Sequence, residues 1–184
     1  MTAQEAWPTN RLLRPCGWVA AGLVERDLPG GGHGLFAERI FMPGELLVVW
    51  GGDVVGRDGL EALRRAGHTY SVQIEEDLYL VSPPGQREPA DCVNHCCTPN
   101  AALSGQVALT ALTTIRPGEQ VRYDYGTSDG SDYDEFDCRC GAIDCRGRVT
   151  GDDWRDPVLQ QRFAGVFSPY IARRIAELSR SVAC

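Results

Sequence analysis

Eight cysteines stand in this chain of 184 residues, and three of them, Cys138, Cys140 and Cys145, fall in a C-x-C-x4-C pattern. Thiolates so closely spaced suit a tetrahedral zinc ion and leave it one ligand short. The adjacent pair Cys96-Cys97 offers the fourth ligand, and spacing alone does not choose between the two. Such a closed site would be structural, because Arg139-Cys140-Gly141-Ala142-Ile143-Asp144 has too little apolar surface to fold unaided. An open, catalytic zinc is not expected: no histidine or carboxylate joins the thiolates as a ligand in sequence, and His33, His68 and His95 are dispersed. Cys16, Cys92 and Cys184 stand alone and read as buried or tail thiols.

A second run of interest is Gly30-Gly31-Gly32-His33-Gly34. Glycine lets backbone amides and carbonyls approach a ligand where a Cβ would clash. The run lacks the third glycine of a dinucleotide fingerprint at the required spacing, and no clear strand precedes it. Nor is it a phosphate-binding P-loop, which needs a lysine. There is no lysine anywhere in the chain, and all 18 basic side chains are arginine, as a GC-rich coding bias produces.

Composition narrows the function classes. The net charge of −7 opposes direct nucleic-acid binding, whose footprint is a basic face, and favours a basic peptide or protein partner. The longest apolar run, Leu46 to Trp50, is too short for a membrane span, and MTAQEAWPTN at the start lacks a signal-peptide pattern. An intracellular chain is expected, cytoplasmic or, in a eukaryote, nuclear. Thiols stay reduced there, which favours metal binding over disulfides.

The elements that must position these residues are mostly short strands. Apolar runs between Gly, Pro, Asn and Asp punctuation predict strands at Leu46–Trp50, Tyr70–Ile74, Leu78–Val81, Ala101–Leu103, Val107–Leu112 and Val121–Tyr123. Ser104-Gly105-Gln106 reads as a hairpin turn, and Arg57–Ala66 as a helix ended by Gly67. Asp156-Pro157 and Ser168-Pro169 each read as an N-cap followed by Pro, predicting two C-terminal helices with apolar stripes Leu159, Phe163, Val166 and Ile171, Ile175, Leu178. Residues 1–16 read as a polar tail able to tuck Trp7 or Leu12-Leu13 onto the body. The organisation expected is a tail (1–16), a β domain (17–127), an acidic loop with the cysteine module (128–149) and a helical extension (150–184).

Four ordered segments then resemble one family, the SET-domain protein-lysine methyltransferases with a C-terminal post-SET module. Gly32-His33-Gly34-Leu35-Phe36-Ala37, with Pro43-Gly44-Glu45 after it, is similar to the family's opening G-x-G-x-x-A segment. Asn94-His95-Cys96-Cys97-Thr98-Pro99-Asn100 resembles its N-H-S-C-x-P-N, and Ala111 to Gly126, through Ile115, Gly118-Glu119 and Tyr123-Asp124-Tyr125, its A-x-x-x-I-x-x-G-E-x-x-x-x-x-Y. Phe136-Asp137-Cys138-Arg139-Cys140-Gly141 and Cys145-Arg146-Gly147 look like its post-SET tail. No cysteine-rich pre-SET cluster precedes the domain.

The resemblance implies a fold of small curved β-sheets with a knot-like threading, which general topology rules would not give. It places Cys97 at the ligand position, so that Cys97, Cys138, Cys140 and Cys145 would bind structural zinc. It implies S-adenosylmethionine as cofactor, contacted by Gly32, His33, Gly34, Leu35, Asn94, His95 and Tyr125 and closed over by Phe136. Tyr125 matches the catalytic tyrosine and Tyr70 a second channel tyrosine, while Tyr123 sits where product multiplicity is set, implying mono- or dimethylation. The substrate implied is a lysine in a basic protein such as a histone or ribosomal protein. The acidic run Asp129, Asp132, Asp134, Glu135 and Asp137 either attracts such a tail or is a solvated loop. The alternative is a catalytically silent, zinc-stabilised peptide-binding module; substrate and oligomeric state are not legible.

Overall fold

A computed structural model of the chain describes residues 17–67, 70–83, 85, 87–132 and 135–182. The expectations for Trp7, Leu12, Leu13, Cys16, His68, Asp134 and Cys184 fall outside the described residues. In chain order the elements are β1 (Trp18–Val19), β2 (Leu23–Asp27), β3 (His33–Ala37), β4 (Leu46–Val49), β5 (Asp53–Gly56), α1 (Arg57–Arg65), β6 (Ser71–Glu75) and β7 (Leu78–Val81). They continue with β8 (Asn94–His95), β9 (Ala101–Leu103), β10 (Ala108–Ala111), β11 (Arg122–Tyr123), β12 (Phe136–Asp137), β13 (Arg148–Val149), α2 (Pro157–Arg162) and α3 (Pro169–Val182).

The strands form small separate sheets, in the orders β1-β4-β10-β9, β5-β7-β6, β2-β3, β8-β11 and β12-β13. One core serves most of them. Leu35, Phe41, Leu47, Val48, Leu109, Ile115 and Val121 are wholly buried, each contributing roughly 1.5–3 kcal/mol through the apolar surface it removes from water. A second cluster of Trp154, Tyr170 and Ile171 lies under α3.

Local chemistry explains the boundaries. Ser104 N–H donates to Ala108 O at 2.9 Å across the β9–β10 turn, where Gly105 takes φ +77°. Gly67 ends α1 at φ +87°. Asp156 caps α2 by accepting from Val158 N at 2.8 Å, and Ser168 Oγ accepts from Ile171 N at 3.2 Å at the start of α3. Leu159 and Phe163 are buried as the stripe requires, but α2 stops at Arg162, so Val166 lies beyond the helix.

One feature differs from the sequence expectation and another goes beyond it. A strand does precede the glycine run: β2 pairs antiparallel with β3, and Gly30–Gly32 form their connecting loop, with Gly31 and Gly32 at φ +90° and +80°. Only Leu23 of β2 is buried, so no apolar alternation announces it. Secondly, β8 and β11 run parallel, Arg122 opposite Asn94 and Tyr123 opposite His95. Asn100 joins the same crossing, its Nδ2 donating to Gln120 O at 2.8 Å and its Oδ1 accepting from Arg122 N at 2.9 Å. The crossing brings the Asn94–Asn100 run beside Tyr123 and Tyr125.

Candidate active site and metal centre

Two cavities meet at one side chain. The narrower, about 90 Å³, is walled by Trp50, Tyr70, Val72, Leu80, Tyr123 and Tyr125, with Ser82, Asp91, Ser128 and Asp129 among its polar groups. The wider, about 540 Å³, is lined by Leu28, Asn94, His95, Gln120, Arg122, Tyr125, Phe136 and the stretch Cys138-Arg139-Cys140. Tyr125 lines both.

Its position is fixed from several sides. Asp124 caps the 3₁₀ turn Tyr125–Thr127 by accepting from Gly126 N at 3.0 Å. The Tyr125 hydroxyl donates to Val93 O at 2.9 Å, and its amide donates to His95 Nδ1 at 3.2 Å. Ser128 Oγ lies 3.2 Å from the Tyr125 carbonyl and 3.3 Å from the Tyr123 hydroxyl, where either hydroxyl can be the donor. The Tyr125 proton is thus committed to the protein. Trp50 completes the wall: its Nε1 donates to Ala90 O at 2.8 Å and its ring lies 5.3 Å from that of Tyr123.

In the wider cavity Asn94 Nδ2 donates to His33 O at 2.7 Å, tying β8 to the glycine hairpin. Gln120 Nε2 is buried without a hydrogen-bond partner among the described residues. It presses on Gly34, where a Cβ would come within 2.4 Å of it. A side chain at position 34 would have to displace the Gln120 amide and crowd the Phe36 ring, while Gly32 has open space around it but a backbone at φ +80° that favours glycine. Leu35 is wholly buried in the core, which leaves its backbone alone for any ligand, and its carbonyl already accepts from Val121 N at 2.8 Å.

Three of the expected thiols, Cys97, Cys138 and Cys140, come together, and Cys145 is not among the groups whose ligand atoms all lie within 4.8 Å of one another. Cys97 Sγ lies 3.8 Å from Cys138 Sγ, which matches the edge of about 3.8 Å in a tetrahedron of sulfurs about 2.3 Å from zinc. Cys140 Sγ accepts from Cys97 N at 3.5 Å, Cys97 Sγ accepts from Arg146 N at 3.4 Å, and Cys145 Sγ donates to Cys138 O at 3.5 Å. Cys96 turns away to donate to Thr98 O at 3.2 Å. Contrary to the sequence expectation, a histidine does accompany the thiols: His95, Cys97, Cys138 and Cys140 offer ligand atoms within 4.8 Å of one another. The described cysteines form no disulfide.

Burial pushes the Cys138 thiol up to about 11 and the Cys97 thiol higher still. For Cys140, burial is outweighed by the amide hydrogens of Cys97 and Ala142, and its pKa falls to about 6. A dication at the centre would favour thiolate at all of them. Burial also takes His95 down to about 4 against the opposing pull of Asp124.

Sequence reasoning missed one structural device. Arg146, next to Cys145, forks onto Asp124 at 2.5 and 2.8 Å and reaches Asp153 at 2.8 Å, joining the cysteine module to the Tyr125 turn and to the Asp153–Arg155 turn before α2. The acidic run is largely answered within the chain: Asp132 pairs with Arg57 at 3.3 Å, and Glu135 and Asp137 pair with Arg148 at 3.2 Å each.

Comparison with known proteins fits this geometry. The family described as SET domain matches residues 32–126, just over half of the chain, and the chain belongs to that family. It is 33% identical over 127 residues to the "Histone-lysine N-methyltransferase, H3 lysine-4 specific" of Mycosarcoma maydis, covering 61% of this chain and 9% of that protein. With "Histone-lysine N-methyltransferase set-2" of Caenorhabditis elegans the identity is 31% over 128 residues, covering 63% and 8%. The chain thus spans under a tenth of the length of these relatives. Among solved structures, a humanized mutant of the Chaetomium thermophilum Polycomb Repressive Complex 2 bound to the inhibitor GSK126 superposes with a TM-score of 0.49 and 23% identity, over 60% of this chain and 15% of that one.

Proposed function

We propose that this chain is an S-adenosylmethionine-dependent protein-lysine N-methyltransferase that adds one or two methyl groups to a lysine of a basic protein such as a histone. The observation that carries the reading is the meeting of a wide and a narrow cavity at Tyr125. Methyl transfer needs donor and amine brought in line from opposite sides, and positioning supplies much of the rate.

Asn94, His95, Gln120, Tyr125 and Phe136 would hold the donor, the unpartnered Gln120 amide being a buried donor in want of an acceptor. When bound, S-adenosylmethionine supplies an electrophilic methyl on a cationic sulfur. The narrow cavity would take the lysine. Asp129 attracts the ammonium, while the faces of Trp50, Tyr70 and Tyr123 receive the cation and its methylene stem. An unperturbed lysine is neutral in only about one molecule in several thousand at pH 7. Stripping water from the ammonium in this channel lowers its pKa and raises that fraction, against the opposing pull of Asp129 and the aromatic faces. The Tyr123 and Tyr125 oxygens then accept the amine's N–H groups, turning its lone pair toward the wide cavity. Tyr125 serves here as an orienting acceptor, its own proton held by Val93 O.

In this proposal residues 17–127 form the catalytic domain, 128–149 the metal module and 150–184 a bracing extension, and Cys97, Cys138, Cys140 and Cys145 bind structural zinc. Labelled-methyl transfer to a histone mixture tests the reading. We expect Tyr125→Phe to lose about 10²-fold in rate, the scale for one positioned polar contact in a transition state. Equal rates for the variant and parent would refute the assigned role of Tyr125. Donor binding without any methyl transfer would favour the silent peptide-binding alternative.

A further inference from the structure

No described residue of α3 lines the narrow or the wide cavity, yet the helix closes on the loop that supplies polar groups to the narrow one. The closure is made at Gly130, whose two main-chain groups are both taken. Its N–H donates to Gln73 Oε1 at 2.8 Å, and its carbonyl accepts from Arg174 Nη1 at 3.0 Å. A backbone N–H only donates, so the Gln73 oxygen must face Gly130 and its NH2 group reaches Tyr170 Oη at 3.3 Å. The Tyr170 hydroxyl gives its own proton to Glu76 Oε2 at 2.8 Å and also accepts from Arg174 Nη1 at 2.9 Å, which fills both of its lone pairs. Gln73 and Tyr170 are buried, so these bonds lie out of water, where a missing partner is costly.

The same C-terminal extension fills the space beside Gly130: a Cβ there would meet Arg174 Nη1 at 2.6 Å, Ile171 Cδ1 at 3.0 Å and Trp154 Nε1 at 3.2 Å. Three residues earlier, the Thr127 carbonyl accepts from Ser168 N at 2.8 Å, just before α3. The segment 127–130 is thus anchored at both ends on the extension, and the two residues between the anchors, Ser128 and Asp129, line the narrow cavity together with Gln73. We propose, on the reading of the narrow cavity as the lysine channel, that Arg174 is a positioning residue for the substrate. By fixing Gly130 against Gln73, it sets where Asp129 and Ser128 stand and thereby how well a lysine side chain is received. Asp129 Oδ1 accepts from Ser131 N and Oγ at 2.8 and 2.9 Å, on the far side of Gly130, so the loop moves as one unit. Gln73, Ser128, Asp129 and Gly130 are absent from the wall of the wide cavity. Loosening the clamp therefore weakens the lysine side and spares the donor side. Arg173 is a built-in control: it pairs with Glu75 of β6 from the neighbouring position and has no hydrogen bond to Gly130 among the described residues.

The test compares the full chain with Arg174→Met, which keeps the unbranched stem and deletes the guanidinium, and with Arg173→Met, which deletes the same charge one position away. Labelled-methyl transfer to a histone mixture gives kcat and KM, and calorimetry gives donor affinity. We expect Arg174→Met to raise the histone KM about 10-fold, the scale of one charge-assisted hydrogen bond, with kcat changed less and donor affinity unchanged. Arg174→Lys, which keeps a cationic donor but not the fork, should raise KM less, and Arg173→Met should keep the parent's KM. Hydrogen exchange followed by nitrogen-15 NMR should show the Gly130 amide opening faster in Arg174→Met than in Arg173→Met, a readout independent of turnover. A parent that methylates no histone overturns the lysine-channel reading and the role of Arg174 with it. With an active parent, an unchanged KM in Arg174→Met, an equal rise in Arg173→Met, or a fall in donor affinity matching the rise in KM overturns the role of Arg174 alone.

Discussion

Removing the guanidinium of Arg146 tests how the cysteine module is held to the Tyr125 turn. Arg146→Met keeps the unbranched stem and deletes the charge, leaving the Asp124 carboxylate, which is 1% exposed, with the Gly126 amide as its remaining close donor at 3.0 Å. Stranding a buried charge costs about 3–5 kcal/mol, a large part of the roughly 5–15 kcal/mol that holds a domain folded. For a chain of this size each kcal/mol lowers the melting temperature by about 2–4 °C, so a fall of about 6–20 °C is expected. The assay is thermal unfolding of the zinc-loaded protein, followed by near-ultraviolet circular dichroism, with urea titration for the free energy. The double variant Arg146→Met, Asp124→Asn provides the internal check. With Asp124 neutralised, only Asp153, which keeps its hydrogen bond from Thr150 Oγ1 at 2.9 Å, still loses its cation, so the double variant should regain much of the loss, because replacing both partners of a buried pair is often neutral. A single variant costing less than about 1 kcal/mol, or a double variant no more stable than the single, would refute the reasoning.

Chelating the metal should abolish donor binding by calorimetry while far-ultraviolet circular dichroism keeps most of its β signal, because the wide cavity borrows Cys138-Arg139-Cys140 as a wall whereas the main core contains none of these. Unchanged donor affinity after chelation would count against that order of loss. Tyr123→Phe should raise the share of higher methylation states by mass spectrometry, since it removes a hydroxyl from the narrow cavity. Cys92 is 3% exposed and burial pushes its thiol up to about 12, so iodoacetamide at pH 8 should leave it unmodified until urea unfolds the chain.

Short-range chemistry was legible in the sequence, and long-range pairing was not. Leu78–Val81 and Ala101–Leu103 coincide with observed strands because turn residues bracket them on both sides, and the Asp156 and Ser168 caps stand where their following prolines announced them. β11 falls within the predicted strand Val121–Tyr123, whereas β8, β12 and β13 span two residues each, too few for any periodicity to declare. In the site, the convergence of Cys97 with the later cysteines followed from spacing and resemblance. The nearness of His95 to the thiols was legible too, because residues i and i+2 of an extended chain share a face and Cys97 is two beyond His95. Dispersion of the histidines along the chain was the wrong criterion. Gln120 and Arg122 flank the wholly buried Val121 and line the wide cavity, a period-2 signal at the start of the predicted strand Val121–Tyr123. The fork of Arg146 on Asp124 joins positions 22 apart, and no local pattern encodes such a pair.

The run Asn94 to Cys97 sends successive side chains to different duties. Asn94 holds the glycine hairpin, His95 spans from Tyr125 to the Cys97 thiol, Cys96 turns to Thr98 O, and Cys97 enters the thiol cluster. If the proposed donor pocket and metal site share this run, the binding of one is expected to bias the other, and such coupling is reciprocal. If metal binding raises donor affinity by some factor, the donor must raise metal affinity by the same factor. Zinc competition titrations with and without saturating S-adenosylmethionine, set beside donor titrations with and without zinc, measure both halves of the cycle. Coupling between sites is typically 5–150-fold, and a value in that range is expected here. Two independent affinities would mean that the shared run transmits nothing, and that the wall around Cys138 to Cys140 forms without its metal.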